Sequence, residues 1–451
     1  EAAGFDVAKQ PGYGGKRERL EARLKQTFSL AEKAARESAP DEGRSDTLAP
    51  ARLDAPHLPT FSPQGRGGAP SIYPYAAAHP TRVAIIGAGI AGAACAQALV
   101  RRGVETIVLE AARELGAGAS GSPAGLVMPR LDRGPLGELF LAAYLNAIAT
   151  YEALGVFSAC GVEERAELSK QVQFFHHLND PPLPEDWFLP LSDEAVLHPR
   201  AGMVRPRAAI EAMLRGAQVQ REANVQSLDR SGEGWILRAD DGRAMLRADA
   251  VVLACGPALT RFEPASFLPI ALSRGQIEWG EGPAPACALV RSNYVAPFGD
   301  GVLFGATFDR VETAVETPAL QDARARNIAA LRELAPEIAA SIDPATLHSR
   351  ASLRATTPDR LPIAGLLPDA PAWMAQYAAL AHGRKIETDS PPPAYARVYV
   401  IGGLGARGLT FAPLLGERIA SEICGEPAPL SQFALDAIHP ARFLHRALKR
   451  R

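Results

Sequence analysis

Apolar and polar positions first settle into a clear register at Thr81. Arg82–Ile86 is a short apolar run, Ile90 to Arg102 has helical spacing, and ETIVLE (105–110) returns as a second apolar strand. Strand, glycine turn, helix and strand in succession predict a βαβ unit. Further on, QVQFFHHL (171–178), ALSRGQIEW (271–279) and YVAPFGDGVLFGATF (294–308) read as strands bounded by Gly, Pro and Asp. DARARNIAALRELAPEIAA (322–340) reads as helix, and ARVYVIGGLG (396–405) as a buried strand entering a glycine turn. LTFAPLLGERIASEIC (409–424) reads as a helix stopped by Gly425 and Pro427. Before Thr81, residues 1–38 are charged and helix-prone, most clearly in KRERLEARLKQTFSLAEKAARE (16–37). Residues 39–80 turn to Pro, Ala, Gly and Ser without periodicity, as a linker would. The whole predicts a mixed α/β chain.

Gly87, Gly89 and Gly92 form G-x-G-x-x-G between the first strand and the helix. The first glycine permits the turn, the second lets a pyrophosphate reach the backbone, and the third lets helix and strand pack closely. The helix start at Ile90, Ala91 and Gly92 offers free amides and a positive dipole end to phosphate. Glu110 follows Gly92 by 18 residues, where a carboxylate accepts hydrogen bonds from ribose hydroxyls. A dinucleotide site is the expectation.

Two later segments turn that expectation towards FAD. ADAVVLACGPAL (248–259) resembles a strand of two-dinucleotide flavoproteins, in which Gly256 lets backbone pass close to the cofactor. GGLGARGLTFAP (402–413) places Gly403, Gly405, Arg407, Gly408, Leu409 and Thr410 around the start of the final long helix. A helix N-terminus there stabilises negative charge on a reduced flavin.

Composition narrows the class only a little. Of the 451 residues 47% are hydrophobic and 22% charged, ordinary for a globular protein. A net charge of -2 gives no global sign of nucleic-acid binding. Five scattered cysteines without a Cys-x-x-Cys pair argue against a disulfide framework or a metal site, and set the expectation of a cytoplasmic protein. No apolar run reaches transmembrane length, so no membrane partner is expected. The first residue is Glu1 rather than Met, which suggests part of a longer protein.

Together these motifs resemble the D-amino-acid-oxidase-like family of FAD oxidoreductases, which includes glycine and sarcosine oxidases. GAGASGSPAGLVMPRLD (116–132), LPIALSRGQIEW (268–279), YVAPFGDGVLFGATFD (294–309) and SLRATTPDRLPIAGLLPD (352–369) carry the likeness. Within the family, those segments and the closing DAIHPARFLHRALKRR are most similar to the oxidoreductase half of the bacterial bifunctional enzymes making 5-methylaminomethyl-2-thiouridine at the tRNA wobble position. The opening EAAGFDVAKQPGYGGKRERL resembles the end of their methyltransferase half. One departure is Gly405-Ala406-Arg407-Gly408, where the family has Gly-Ser-Arg-Gly; a hydroxyl is lost and the backbone donors remain.

The resemblance implies a Rossmann-like FAD-binding domain of the glycine/D-amino-acid oxidase type with an interleaved β-rich substrate domain. Residues 1–38 would be the methyltransferase remnant and 39–80 the linker. FAD binding would use 81–160, 203–262 and 350–436, the substrate domain 161–202 and 263–349, and 437–451 a basic tail. Ala119, Ser120, Gly121 and Gly125 join the cofactor set.

The implied reaction oxidises a carboxymethylaminomethyl group on the wobble uridine to aminomethyl, releasing glyoxylate. No methyltransferase activity is expected of this chain itself, which leaves a methyltransferase domain or protein as a partner. Arg354 is the expected carboxylate anchor, because a guanidinium is a planar two-pronged donor. Arg274 is a second, weaker candidate for the catalytic site, and Cys255 is expected as a small buried thiol beside the flavin. The tRNA anticodon loop would meet Arg442, Arg446, Lys449, Arg450 and Arg451, helped by Lys16, Arg17, Arg19, Arg23 and Lys25. The alternative is an oxidase of free glycine, sarcosine or another small amine.

Overall fold

The structure, a computed structural model, describes residues 5–11, 18–24, 73, 75, 80–132, 134–178, 185–313, 318–383 and 390–450. The chain divides into two units, Glu1–His57 and Leu58–Arg451.

In the first unit Phe5–Pro11 and Glu18–Leu24 pair antiparallel, with Val7 opposite Ala22. Part of the segment expected as helix is therefore strand. Its sequence explains this: Leu20, Ala22 and Leu24 alternate with Arg19, Glu21 and Arg23, a period of two hidden by the charge content. Lys16, Arg17, Lys25 and most of the linker lie outside the described residues.

The second unit is organised by two sheets. The first contains β1 (Arg82–Ile86), β2 (Glu105–Leu109), β3 (Ala250–Leu253) and, from later in the chain, Ala394–Gly402. Its order is Gln218–Gln220, β2, β1, β3, Ala394–Gly402, Ile363–Pro368; all neighbours are parallel except the last pair. The central strands are apolar on both faces and buried, as a helix-covered parallel sheet requires. Helix α1 (Ile90–Val100) buries every residue except Gln97 and Val100. Its run of small residues lets α2 (Gly408–Ile423) lie close, with Gly416 against the Ala94 backbone.

The second sheet is the larger of the two. Its long strand β4 (Ala271–Glu281) pairs with β5 (His348–Thr356) from Ala271–Thr356 to Trp279–His348. Strands from 162–198 and 288–311 extend it. A boundary at residue 350 falls inside β5, which is one continuous strand of this sheet. QVQFFHHL, expected as strand, is helix within Ser169–Leu178. Phe175 and Leu178, three residues apart, pack on Phe188 and Val196. Gln171 closes the helix start by accepting from the amides of Glu167 (2.8 Å) and Leu168 (3.0 Å).

The basic tail is folded rather than free. Gln432–Ile438 is helix α3 and Arg442–Leu448 helix α4. Arg442, expected to meet phosphate, is 3% exposed. It donates through Nε to Asp359 Oδ2 (2.9 Å), and through Nη1 and Nη2 to the carbonyls of Ile438 (2.8 Å) and Leu361 (3.0 Å). A buried cation needs such pairing, so Arg442 is structural. Arg446 also pairs with Asp359 but is half exposed, Lys449 and Arg450 are exposed, and Arg451 lies outside the described residues. From the expected linker, Tyr75 donates to Asp436 (2.8 Å) and Tyr73 stacks on His439.

The arginines beside Asp359 hold its carboxyl well below the usual carboxylate range despite its burial. A carboxyl depressed on folding contributes stability above its unfolded pKa, about 3.9, and loses it as pH falls through the lower folded value. Asp359→Asn should therefore cost about 1–3 kcal/mol at neutral pH. The loss, read by chemical denaturation, should shrink in acid.

No helix among the described residues is long and apolar enough to cross a membrane.

Candidate active site

The ends of the parallel strands and the inner face of the second sheet enclose a cavity of about 620 Å3, a size suited to a cofactor and small substrate group. Of the residues expected to bind FAD, Gly87, Gly89, Ile90, Ala91, Glu110, Ala119, Ser120, Gly125, Gly256, Gly403, Gly405, Arg407, Gly408, Leu409 and Thr410 line it. Gly92 and Gly121 do not. A Cβ on Gly92 would strike the Gly87 carbonyl, and one on Gly121 the Arg350 guanidinium. Both serve close packing around the site.

Gly89 differs from its neighbours. Its φ of -76° and ψ of -179° suit any residue, and an added Cβ would meet only Ser120 Oγ at 3.4 Å. Gly87, by contrast, has φ +106° and no room beside the Ala254 carbonyl (2.7 Å). The protein's own packing therefore explains Gly87 and leaves Gly89 open towards the cavity. Around it, Ile90 N–H donates to Ser120 Oγ (3.0 Å), while Glu110 accepts from the amides of Ala88 (2.7 Å) and Ala112 (2.9 Å). Those bonds fix the carboxylate at the end of β2, and each oxygen keeps a lone pair for a hydroxyl.

At the opposite end, helical bonding in α2 begins with Phe411 N–H to the Arg407 carbonyl (3.0 Å). The amides of Gly408, Leu409 and Thr410 precede it, so the cavity receives the positive end of the helix. Pro413 has no N–H for the Leu409 carbonyl one turn back. Buried Tyr151 donates its hydroxyl there instead (2.8 Å), which keeps this turn satisfied. The Arg407 guanidinium makes no ion pair among the described residues. Burial, with Arg130 nearby, lowers its pKa, and Glu164 opposes the shift. This electropositive end and the open glycine turn fit a dinucleotide with an electron-rich ring. Burial pushes the Cys255 thiol up to about 12, so it stays protonated and poorly nucleophilic.

Strand alternation decides the two candidate arginines. On β5, Arg350, Ser352 and Arg354 recur every second residue and all reach the cavity. Arg354 donates to the Thr307 carbonyl (3.2 Å), and has no acidic partner among the described residues. Gly275 on β4 leaves room for it, since a Cβ there would overlap the guanidinium. Burial lowers the Arg354 pKa, with Tyr294 opposing, while the Tyr294 phenol is itself pushed up to about 12.

Arg274 falls on the other face of β4 and does not line the cavity. It donates to Gln276 Oε1 (3.1 Å) and the Pro318 carbonyl (2.9 Å). Gln276 then donates to Glu278 (2.8 Å), which Arg324 approaches at 3.3 Å. Arg274 therefore belongs to a buried polar network and cannot reach the reacting group. Arg274→Met should lower stability by about 1–3 kcal/mol, by leaving buried partners unpaired. In the fraction that folds, kcat should be little changed, which steady-state kinetics beside a denaturation curve would show.

Two residues not expected from the sequence, Arg350 and Tyr294, also line the cavity. Arg350 donates to the carbonyls of Ala117 (2.5 Å) and Gly118 (3.0 Å), clamping the loop that carries Ser120. Its signal was the even spacing from Arg354; Tyr294 gave none beyond its place at a strand start.

A family model described as FAD dependent oxidoreductase matches residues 82–422. The tRNA 5-methylaminomethyl-2-thiouridine biosynthesis bifunctional protein MnmC of Chromohalobacter salexigens is 33% identical, over 98% of this chain and 63% of its own length. The protein of the same name from a Caulobacter strain is 32% identical, over 99% of this chain and 64% of its own. The chain thus spans a little under two thirds of these relatives. Among solved structures, glycine oxidase from Geobacillus kaustophilus superposes with a TM-score of 0.64 at 19% identity, covering 81% of this chain and 99% of that one. L-proline dehydrogenase from P. horikoshii gives 0.62 at 15% identity, covering 81% and 98% respectively.

Proposed function

The chain belongs to the FAD-dependent oxidoreductase family, and from that premise we propose that it oxidises the carboxymethylaminomethyl group of a tRNA wobble uridine to aminomethyl, releasing glyoxylate. Arg354 carries this reading: a guanidinium inside the cofactor cavity, bonded to one neutral carbonyl and to no acid among the described residues. A desolvated cation without an anion is set up to receive a carboxylate. The relatives matched over nearly the whole chain supply the tRNA part of the proposal.

FAD would be held by the turn at Gly87–Ile90, by Glu110 and by the helix end at Gly408–Thr410. When bound, it supplies the acceptor for two electrons. The substrate side chain is an N-substituted glycine, so Arg354 would fix its carboxylate and with it the position of the methylene. Arg354 and Arg407 both disfavour a second positive charge in the cavity, which keeps the substrate amine neutral and able to donate its electron pair. Loss of two electrons and two protons across the carbon–nitrogen bond leaves an imine. Water cleaves that imine to the aminomethyl base and glyoxylate. The geometry demands no side chain as general base; orientation and charge do the work.

The exposed Lys449 and Arg450, with half-exposed Arg446, would lie against tRNA phosphates. Residues 1–38 would be the remnant of a methyltransferase domain, and the protein would work in the cytoplasm. Incubation with tRNA carrying the carboxymethylaminomethyl group, followed by nucleoside mass analysis and assay for glyoxylate, tests the proposal. Conversion with equimolar glyoxylate is expected; unchanged nucleoside would refute it.

A further inference from the structure

Five large apolar side chains stand exposed among the described residues: Leu168, Leu191, Leu320, Phe433 and Phe308. Single exposed apolar residues are ordinary and need no explanation. None of the five lines the cavity itself. Phe308 has a different setting. It is 55% exposed, yet the Arg354 guanidinium carbon lies 5.6 Å from its ring centroid. The residue before it, Thr307, supplies the carbonyl that holds Arg354. An open aromatic ring thus stands beside the cation assigned to the substrate carboxylate.

We infer that Phe308 is the stacking platform for the uracil ring of the substrate, and so selects a nucleobase-bearing amine over a free one. This rests on the reading above that the substrate is a modified tRNA base. Its geometry follows from the length of the substrate side chain. Four single bonds separate the carboxylate carbon from the uracil ring and span at most about 5 Å. A carboxylate on Arg354 therefore leaves the base within reach of a ring 5.6 Å from that guanidinium. Single-stranded and loop bases are held in this way, splayed out and laid on aromatic faces. The cation–π contact with Arg354 and the neighbouring Thr307 carbonyl restrain the ring before a base arrives.

The test compares the FAD-loaded wild type with Phe308→Ala, Phe308→Leu and Phe308→Trp, following anaerobic flavin bleaching. One substrate is tRNA with the carboxymethylaminomethyl group, and the other is sarcosine, which has the carboxylate and amine but no base. If sarcosine is not oxidised, its binding is followed by the shift in the flavin spectrum. Phe308→Ala should raise KM for tRNA by about ten- to a hundredfold, the range for loss of one stacked base. Its kcat should hold, sarcosine should be unaffected, Phe308→Leu should resemble Ala, and Phe308→Trp should restore affinity. An unchanged KM for tRNA in Phe308→Ala would overturn the stacking role and leave the proposed reaction standing. Equal losses on tRNA and sarcosine would also overturn it, showing a ring that only props Arg354. A wild type unreactive towards tRNA would overturn both.

Discussion

Replacing Arg354 by Ala is expected to lower kcat/KM for the modified tRNA by about two to three orders of magnitude and to leave FAD bound. Truncating one partner of a desolvated, hydrogen-bonded charge pair costs about 2–5 kcal/mol, with tenfold for each 1.4 kcal/mol. Part of the loss should appear in kcat, because the methylene is positioned through the carboxylate. Arg354→Lys should recover only a fraction, since an ammonium lacks the planar fork. Flavin content measures the other half of the expectation. Arg354 lies on β5, opposite Ser273 of β4, and belongs neither to the glycine turn nor to α2. A variant that purified without flavin would move Arg354 from the substrate to the cofactor.

The second large effect concerns Gly89. Gly89→Val should fold and lose FAD, purifying nearly colourless. Its backbone angles suit a β-branched residue and only Ser120 Oγ stands near the added carbon, so the free protein should accept the change. A side chain there would occupy the space where a pyrophosphate approaches the backbone. The comparison is Gly87→Val, which meets both a left-handed backbone and the Ala254 carbonyl and should impair folding itself. Bound FAD stabilises the fold by mass action, so melting temperatures are compared in the apo forms. Flavin absorbance per mole of protein reads the binding. A fully loaded Gly89→Val would remove the cofactor from this turn.

The parallel core was legible because its strands are continuous apolar runs and its glycines sit at spacings set by turn geometry. Gly87, Gly89, Glu110 and the Gly408 helix start needed only local sequence to be found. Arg354 needed family likeness, because an arginine in a strand carries no mark of what it faces. Arg274 was misjudged for the same reason: proximity to a motif says nothing about side, and the period of two puts it behind the sheet. Arg442 misled through composition. Five basic residues within thirteen read as a surface, yet Asp359, 83 positions earlier, buries one of them. The helix at 169–178 was obscured by Val172, Phe174 and Phe175, whose strand preference yields once Phe175 and Leu178 find a core.

The proposed reaction requires a flavin that takes electrons from an amine held by its carboxylate and presented on a tRNA. Anaerobic mixing of the FAD-loaded protein with tRNA bearing the carboxymethylaminomethyl group tests this most directly, with unmodified tRNA as the control. The flavin should bleach in proportion to the modified tRNA added and release an equal amount of glyoxylate, with no change for the control. A flavin spectrum that stays flat with modified tRNA, while free glycine or sarcosine bleaches it readily, would contradict the account and identify a small-amine oxidase.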